Sequence, residues 1–306
     1  MITPTMSDDG MRYWRLRPDA RLAPWIRCYW WVEPVKQHES AGGVAPVEPP
    51  DLLIPDGHSE IVFRLAGEFT RWQLGEPAKR ARMNRSYVIG GRSKSVFTQS
   101  PGGLRLAGVK LDPRGLRALL RRPLSDFRDK TVACADLECR ELLDLEDEIA
   151  NLGSVERLPK VLDRFFLRRL SDRIQDDAAT ELLISRLRVT RGAQPILQWV
   201  RDQRVDPRTL ERRFIARMGM TPKKFARVER FKHGYRLLRE HRPGERRAYL
   251  EAYYDESHFD REFRDFMGTS PTSLLSRKAG YTTIIGDHLL ERELGDVPAG
   301  TSAATR

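Results

Sequence analysis

The chain has 306 residues, with 54 Lys and Arg against 43 Asp and Glu, a formal charge of +11 and a pI near 9.8. Hydrophobic residues make up 40%, enough for packed cores, so global disorder is excluded, and the length suits two domains. Three cysteines (Cys28, Cys134, Cys139) are too few for a disulfide scaffold and fit a reducing compartment. The first ten residues carry Asp8 and Asp9 and lack the apolar run of a signal peptide. The early apolar stretch from Ala23 to Val32 is short and interrupted by Arg27. The expectation is a soluble cytoplasmic protein with no membrane partner.

Residues 11–135 are expected to form a β-rich domain. The runs from Glu60 to Leu65 and from Leu104 to Leu111 are apolar or alternating. They are bounded by turn signals at Pro55-Asp56-Gly57, Gly90-Gly91 and Pro101-Gly102-Gly103. Residues 41–50 read as a loop. Trp25, Trp30 and Trp31 fit a core better than a cofactor box; if the domain binds a small molecule, they and His58 are the candidate pocket residues. His58 and Glu60 alternate as metal ligands in a small barrel do, but a third ligand is missing, so neither a metal nor another cofactor is expected. Cys134 and Cys139 lack zinc-site spacing. GxxxxGK[ST], HExxH and GxSxG are absent, so the chain does not read as an enzyme.

From Arg114 the pattern turns helical. Leu116, Leu119 and Leu120 open the period, and residues 137–152 and 155–170 continue it. Residues 136–185 are expected to be a helical linker and a candidate dimerisation segment. Residues 186–279 follow as an all-helical domain, and 280–306 as a flexible tail. The fold class is therefore α+β.

Residues 181–280 hold 23 Lys and Arg against 13 Asp and Glu, so nearly all of the excess charge lies in one segment. A solvated helical surface is the bland explanation of such a segment. A second signal is the internal repeat at an offset of 49 residues. It aligns Asp206 with Asp255, Leu210 with Phe259, Arg212 with Arg261, Phe214 with Phe263, and Met218-Gly219 with Met267-Gly268. In each copy an Asp is placed to cap the N-terminus of a helix (Asp206, Asp255), and a Gly is placed just past its end. Leu210 and Phe214 share one face of the first helix, while Arg208 and Arg212 share the opposite face. In the second, Phe259, Phe263 and Phe266 face inward and Ser257, Arg261 and Arg264 outward. Shorter helices are expected before each cap, at 194–203 and 245–252. Between the copies, residues 222–241 are expected to form one helix roughly 30 Å long. Two helix-turn-helix units on such a spacer match adjacent major grooves of duplex DNA, about 34 Å apart.

The segment Ala252-Tyr-Tyr-Asp-Glu-Ser-His-Phe-Asp-Arg-Glu-Phe-Arg264, with Met267-Gly-Thr-Ser-Pro271, resembles the second helix-turn-helix signature of AraC/XylS-type bacterial transcription regulators. Asp206-Pro-Arg-Thr-Leu-Glu-Arg-Arg-Phe214, with Met218-Gly-Met-Thr-Pro222, resembles the first. Leu22-Ala-Pro-Trp-Ile26, Tyr29-Trp30, Pro55-Asp-Gly57 and Gly108 to Gly115 are similar to a sensor domain of undefined ligand found before some of these regulators. The resemblance implies a cupin-like barrel, a DNA-binding activator or repressor, RNA polymerase as a partner, a small-molecule effector and a candidate homodimer. It also implies base contacts from Arg208, Glu211 and Arg212 in the first unit and from Glu256, Ser257 and Arg261 in the second. Arg213, Lys223, Lys224, Arg227 and Arg264 fall to phosphate contacts.

Three departures stand out. Arg204 and Ala252 occupy turn positions that usually carry Gly, and Val200 replaces a small Ala. Residues 249–267 carry six acids (Glu251, Asp255, Glu256, Asp260, Glu262, Asp265) against Arg261 and Arg264. Acid near phosphate weakens binding, so the first unit is expected to supply most of the affinity. The same acids motivate an alternative: a protein–protein adaptor with a decayed DNA-binding domain.

Overall fold

The computed structural model describes residues 4–6, 11–35, 50–170, 178–240, 253 and 255–275. The expected loop at 41–49, the helix at 245–252, Ala252 and the tail at 280–306 lie outside these residues.

The N-terminal half is built from two antiparallel sheets. Its strands in chain order are β1 (Thr5–Met6), β2 (Met11–Leu16), β3 (Ile26–Pro34), β4 (Asp51–Leu53), β5 (Ser59–Ala66), β6 (Thr70–Gln73), β7 (Ala81–Arg82), β8 (Ser86–Ile89), β9 (Val96–Gln99), β10 (Arg105–Leu111) and β11 (Thr131–Ala133). The larger sheet runs β1-β2-β3-β10-β5-β8-β11 and the smaller β4-β9-β6-β7. The two runs expected at 60–65 and 104–111 are β5 and β10, paired at its centre with Val109 opposite Ile61.

Alternation along these strands separates two cores. One face of the large sheet, carrying Trp14, Leu16, Tyr29, Trp31, Ile61, Phe63, Val88 and Val109, packs under helices α1 (Pro113–Leu120), α2 (Arg140–Ala150) and α3 (Leu158–Arg169). The other face, with Tyr13, Trp30, Val32, Val62, Tyr87 and Leu106, meets Phe69 and Met83 from the small-sheet side. The Phe69 and Tyr87 rings lie 6.2 Å apart across that interior.

Two expectations are corrected here. The helices within 136–170 are not a linker: Leu142, Leu145, Ile149, Leu162 and Phe166 complete the N-terminal core. Trp25, Trp30, Trp31 and His58 do not converge on one pocket. Adjacent strand residues point to opposite faces, so Trp30 enters the interior between the sheets while Trp31 lies under the helices. Trp25 packs against that helix-covered core, and His58 is buried in a turn beside Asp56.

The C-terminal half is helical: α4 (Ala178–Val189), α5 (Ile196–Asp202), α6 (Pro207–Met218), α7 (Pro222–Glu240), α8 (Glu256–Met267) and α9 (Pro271–Leu275). Its core gathers Leu183, Leu187, Trp199, Val200, Leu210, Phe214, Phe225, Phe231, Phe259 and Phe263. It also takes in Ile54 and half-buried Leu52 from the N-terminal half.

Candidate nucleic-acid interface

Both recognition-type helices start and stop where their residues dictate. The Asp206 carboxylate accepts from Thr209 N at 2.7 Å, and that of Asp255 accepts from His258 N at 2.7 Å. These bonds satisfy backbone donors that a helix start leaves open. At the far ends Gly219 and Gly268 adopt left-handed φ values of 72° and 67°, a conformation that costs glycine nothing. Between α5 and α6, Arg204 turns the chain at φ 52°. A side chain there is strained, so this unit makes its turn without the usual glycine. Val200 fits, buried against the helical core.

The outward faces are as the repeat requires. Leu210 and Phe214 are buried while Arg208, Glu211, Arg212 and Arg213 are exposed; Phe259, Phe263 and Phe266 are buried while Glu256, Ser257, Arg261 and Arg264 are exposed. Helix α7 joins the units and, at 19 residues, spans roughly 28 Å.

The two helices are anchored differently. In the first, Arg217 is 1% exposed and pairs with Glu181 of α4. Glu181 also receives Arg114 of α1 at 3.4 Å. Arg114 in turn bonds Asp112, which holds Arg188 of α4 at 2.9 Å and Arg27 at 3.2 Å. This chain of charges crosses between the two halves. Burial pushes the Asp112 carboxyl up, but Arg188 and Arg114 outweigh it and hold it well below the usual carboxylate range.

In the second unit, Glu262 of α8 is 3% exposed and accepts from Arg227 Nε at 2.7 Å and Arg230 Nε at 3.3 Å, both on α7. Burial pushes its carboxyl up, and those two hydrogen bonds outweigh it, so it lies below its ordinary value. Arg227 also reaches Asp265 at 2.9 Å, and Asp260 pairs with Arg264 at 3.4 Å. Asp255, Asp260, Glu262 and Asp265 are therefore spent on a cap and on ion pairs. The linear count of six acids overstates the negative charge that this unit offers to a phosphate backbone.

The spacer residues have partners of their own. Arg227 clamps α7 to α8 through Glu262 and Asp265. Lys224 is half-buried with its ammonium 3.9 Å from Asp129, and burial lowers its affinity for a proton. Lys223 is exposed.

The first reading face looks across a groove at the N-terminal half. Helix α6 packs against α1 and the short 3-10 turn Leu124–Phe127. Arg208, Glu211, Arg212, Ile215 and Ala216 line one wall of a groove of about 490 Å3 whose other wall is Pro123 and Ser125. The sequence carried no sign of this contact, which joins segments some 85 residues apart. The second unit touches the N-terminal half through its end, where Ser95 Oγ bonds the Phe266 carbonyl. Helix α7 is met by the turn at Gly57, where a β-carbon would lie 3.1 Å from Phe225 and 3.3 Å from Glu229 Oε1. Among the described residues no cluster of three or more His, Cys, Asp or Glu could hold a metal ion, and no helix is long and apolar enough to cross a membrane.

Comparison with known families matches residues 199–277 to a helix-turn-helix domain and residues 14–133 to a domain of unknown function (DUF6597). No curated protein matches the sequence. Among solved structures, ToxT from Vibrio cholerae is similar over 76% of this chain and 96% of its own, at 15% identity and a TM-score of 0.44. Unsaturated fatty acid-bound wild-type ToxT from Vibrio cholerae strain SCE256 is similar over 87% and 94%, at 13% identity and 0.40. GK1651 from Geobacillus kaustophilus is similar over 44% and 50%, at 9% identity and 0.27.

Proposed function

With an AraC-type helix-turn-helix domain set behind an N-terminal β-domain as the premise, we propose that this chain is a sequence-specific transcription regulator that reads duplex DNA in adjacent major grooves. The observation that carries this reading is the pair of capped helices presenting Arg208 and Arg212, and Ser257 and Arg261, at the two ends of a spacer about 28 Å long. Arg208, Glu211, Arg212, Glu256, Ser257 and Arg261 meet base edges; Arg213, Lys223 and Arg264 meet phosphate. No catalytic step is assigned.

Residues 14–170 form the sensor half in this reading. Arg208, Glu211 and Arg212 share their groove with Pro123 and Ser125, so in this reading duplex DNA and the N-terminal wall compete for the same face of α6. In this reading an effector acts by shifting the population between this arrangement and one in which α6 stands clear of that wall. The adaptor alternative drew on the acidic second unit. Four of those six acids are engaged in a cap or in ion pairs, which removes its support.

Selection of bound sequences from a random duplex pool, using the full chain at low salt, tests the proposal. Two half-sites about one helical turn apart are expected, with affinity falling steeply as salt rises. Binding with no sequence preference, or with a flat salt dependence, rejects it.

A further inference from the structure

The interior between the two sheets holds charge that the DNA reading does not use. Arg71 of β6 and Thr98 of β9 are cross-strand partners on the face turned toward the large sheet. Trp72 and Phe97, the next pair, stack on the opposite face at 5.5 Å. Arg92, on the loop between β8 and β9, enters the same interior. The three are 6%, 6% and 5% exposed in the order Arg71, Thr98, Arg92. Arg71 Nε and Nη2, Arg92 Nε and Nη1, and Thr98 Oγ1 are buried and find no hydrogen-bond acceptor among the described residues. Tyr13 Oη and Trp30 Nε1, on the facing sheet, are buried and unmatched in the same way.

These are donors without acceptors, and two carry full positive charge. Burial, and then the field of Arg92, lowers the Arg71 guanidinium to about 10. The nearby acids relieve them only in part. Asp56 feels Arg92 but is held by Lys110 at 2.6 Å, and Glu60 favours the charged Arg71 without a hydrogen bond to it. A buried unpaired charge is expensive, and a fold keeps two of like sign together only where something else repays it. Beyond this polar end the interior is apolar, walled by Phe69, Met83, Leu104 and Leu106.

We propose that the space between the sheets is the binding site of a small oxyanion-bearing molecule. Its carboxylate or phosphate head is held by Arg71, Arg92 and Thr98, and its apolar body lies toward Trp30 and Phe69. Guanidinium groups suit this head because their donors match two oxygens at once. The site also has a mechanical link to the helical half. The loop that carries Arg92 inward places Gly91 against Met218 and Met220 of the first unit and bonds Ser95 to the end of α8. This link rests on the regulator reading; the binding site does not.

The test uses the full chain without DNA. Phenyl phosphate, phenylacetate and inorganic phosphate are titrated by calorimetry, with the neutral 2-phenylethanol as control. Thermal midpoints are measured for wild type, Arg71→Met and Arg92→Met. The expected result is binding of phenyl phosphate or phenylacetate, not of 2-phenylethanol, weakened at least about 10-fold by either substitution. Preference between the two probes separates a phosphate head from a carboxylate head, and inorganic phosphate shows what the head alone contributes. Without ligand, both variants should melt at or above the wild-type midpoint, because a buried guanidinium with unmatched donors has been replaced by apolar volume. Equal binding by variants and wild type, no binding of any anion, or a lower midpoint in both variants overturns the site. Anion binding that leaves duplex affinity unchanged keeps the site and removes the sensing role from the regulator reading.

Discussion

The first recognition helix is anchored by a buried cation and the second by a buried anion. Arg217 ties α6 to α4 and, through Glu181 and Arg114, to the N-terminal half. Glu262 ties α8 to the spacer α7 through Arg227 and Arg230. The copies share caps, aromatic faces and terminal glycines, so the difference lies in what holds each helix. The first unit is wired to the N-terminal half and faces it across a groove. The second is wired to its own spacer. Two copies of one motif thereby take different mechanical roles, one answering to the rest of the protein and one held in place.

The sharpest way to break this comparison is at Glu181. Glu181→Ala leaves the Arg217 guanidinium buried without its carboxylate, and a loss of about 3 kcal/mol is expected in urea unfolding. A loss under about 0.5 kcal/mol would show that the first anchor is not structural. For recognition, Arg212→Ala should weaken cognate binding by about 2 kcal/mol and relax one base position, while Arg261→Ala should do the same at the other half-site. Parallel site selections check both, and relaxation at one shared position would sink the two-site geometry. Glu262→Gln should lower stability by about 1–2 kcal/mol at pH 7. Because the folded carboxyl lies below its ordinary value, its contribution is present above the ordinary carboxylate range and is lost as pH falls through the folded value. The wild-type advantage over Glu262→Gln should therefore shrink below about pH 4; an unchanged gap in acid contradicts the ion pair. The smallest effect is at the turn. Arg204→Gly relieves a left-handed side chain and should change stability by less than about 1 kcal/mol in the stabilising direction. A clear loss would mean that the Arg204 side chain makes contacts that outweigh its strain.

Much of the helical half was legible because its signals are local. Asp206 and Asp255 cap, Gly219 and Gly268 terminate, and the spacing of Leu210 and Phe214 names the buried face, all within a few residues. The missing glycine at Arg204 was visible too, but not that the turn keeps its left-handed residue there regardless. What could not be read was pairing across distance. Whether Glu262 faces phosphate or Arg227 depends on how α7 crosses α8, which no local pattern encodes. The helices at 140–150 and 158–169 looked like a linker for the same reason: their apolar faces are visible in the sequence, but the sheet they cover is not. Trp30 and Trp31 are a different failure. Strand alternation alone separates adjacent residues, and grouping both into one pocket ignored it. Arg71 was missed because an arginine within a four-residue strand reads as an outward position until the strand's inner face is known.

Ile54 sits in the helical core although it belongs to the N-terminal half. A fragment cut before α4 would carry its recognition helices but leave a hole where that side chain belongs. Packing of this kind couples the two halves, and heat is expected to melt the protein in one cooperative step, which calorimetry checks. A helical fragment studied alone would report the behaviour of a core that lacks this side chain.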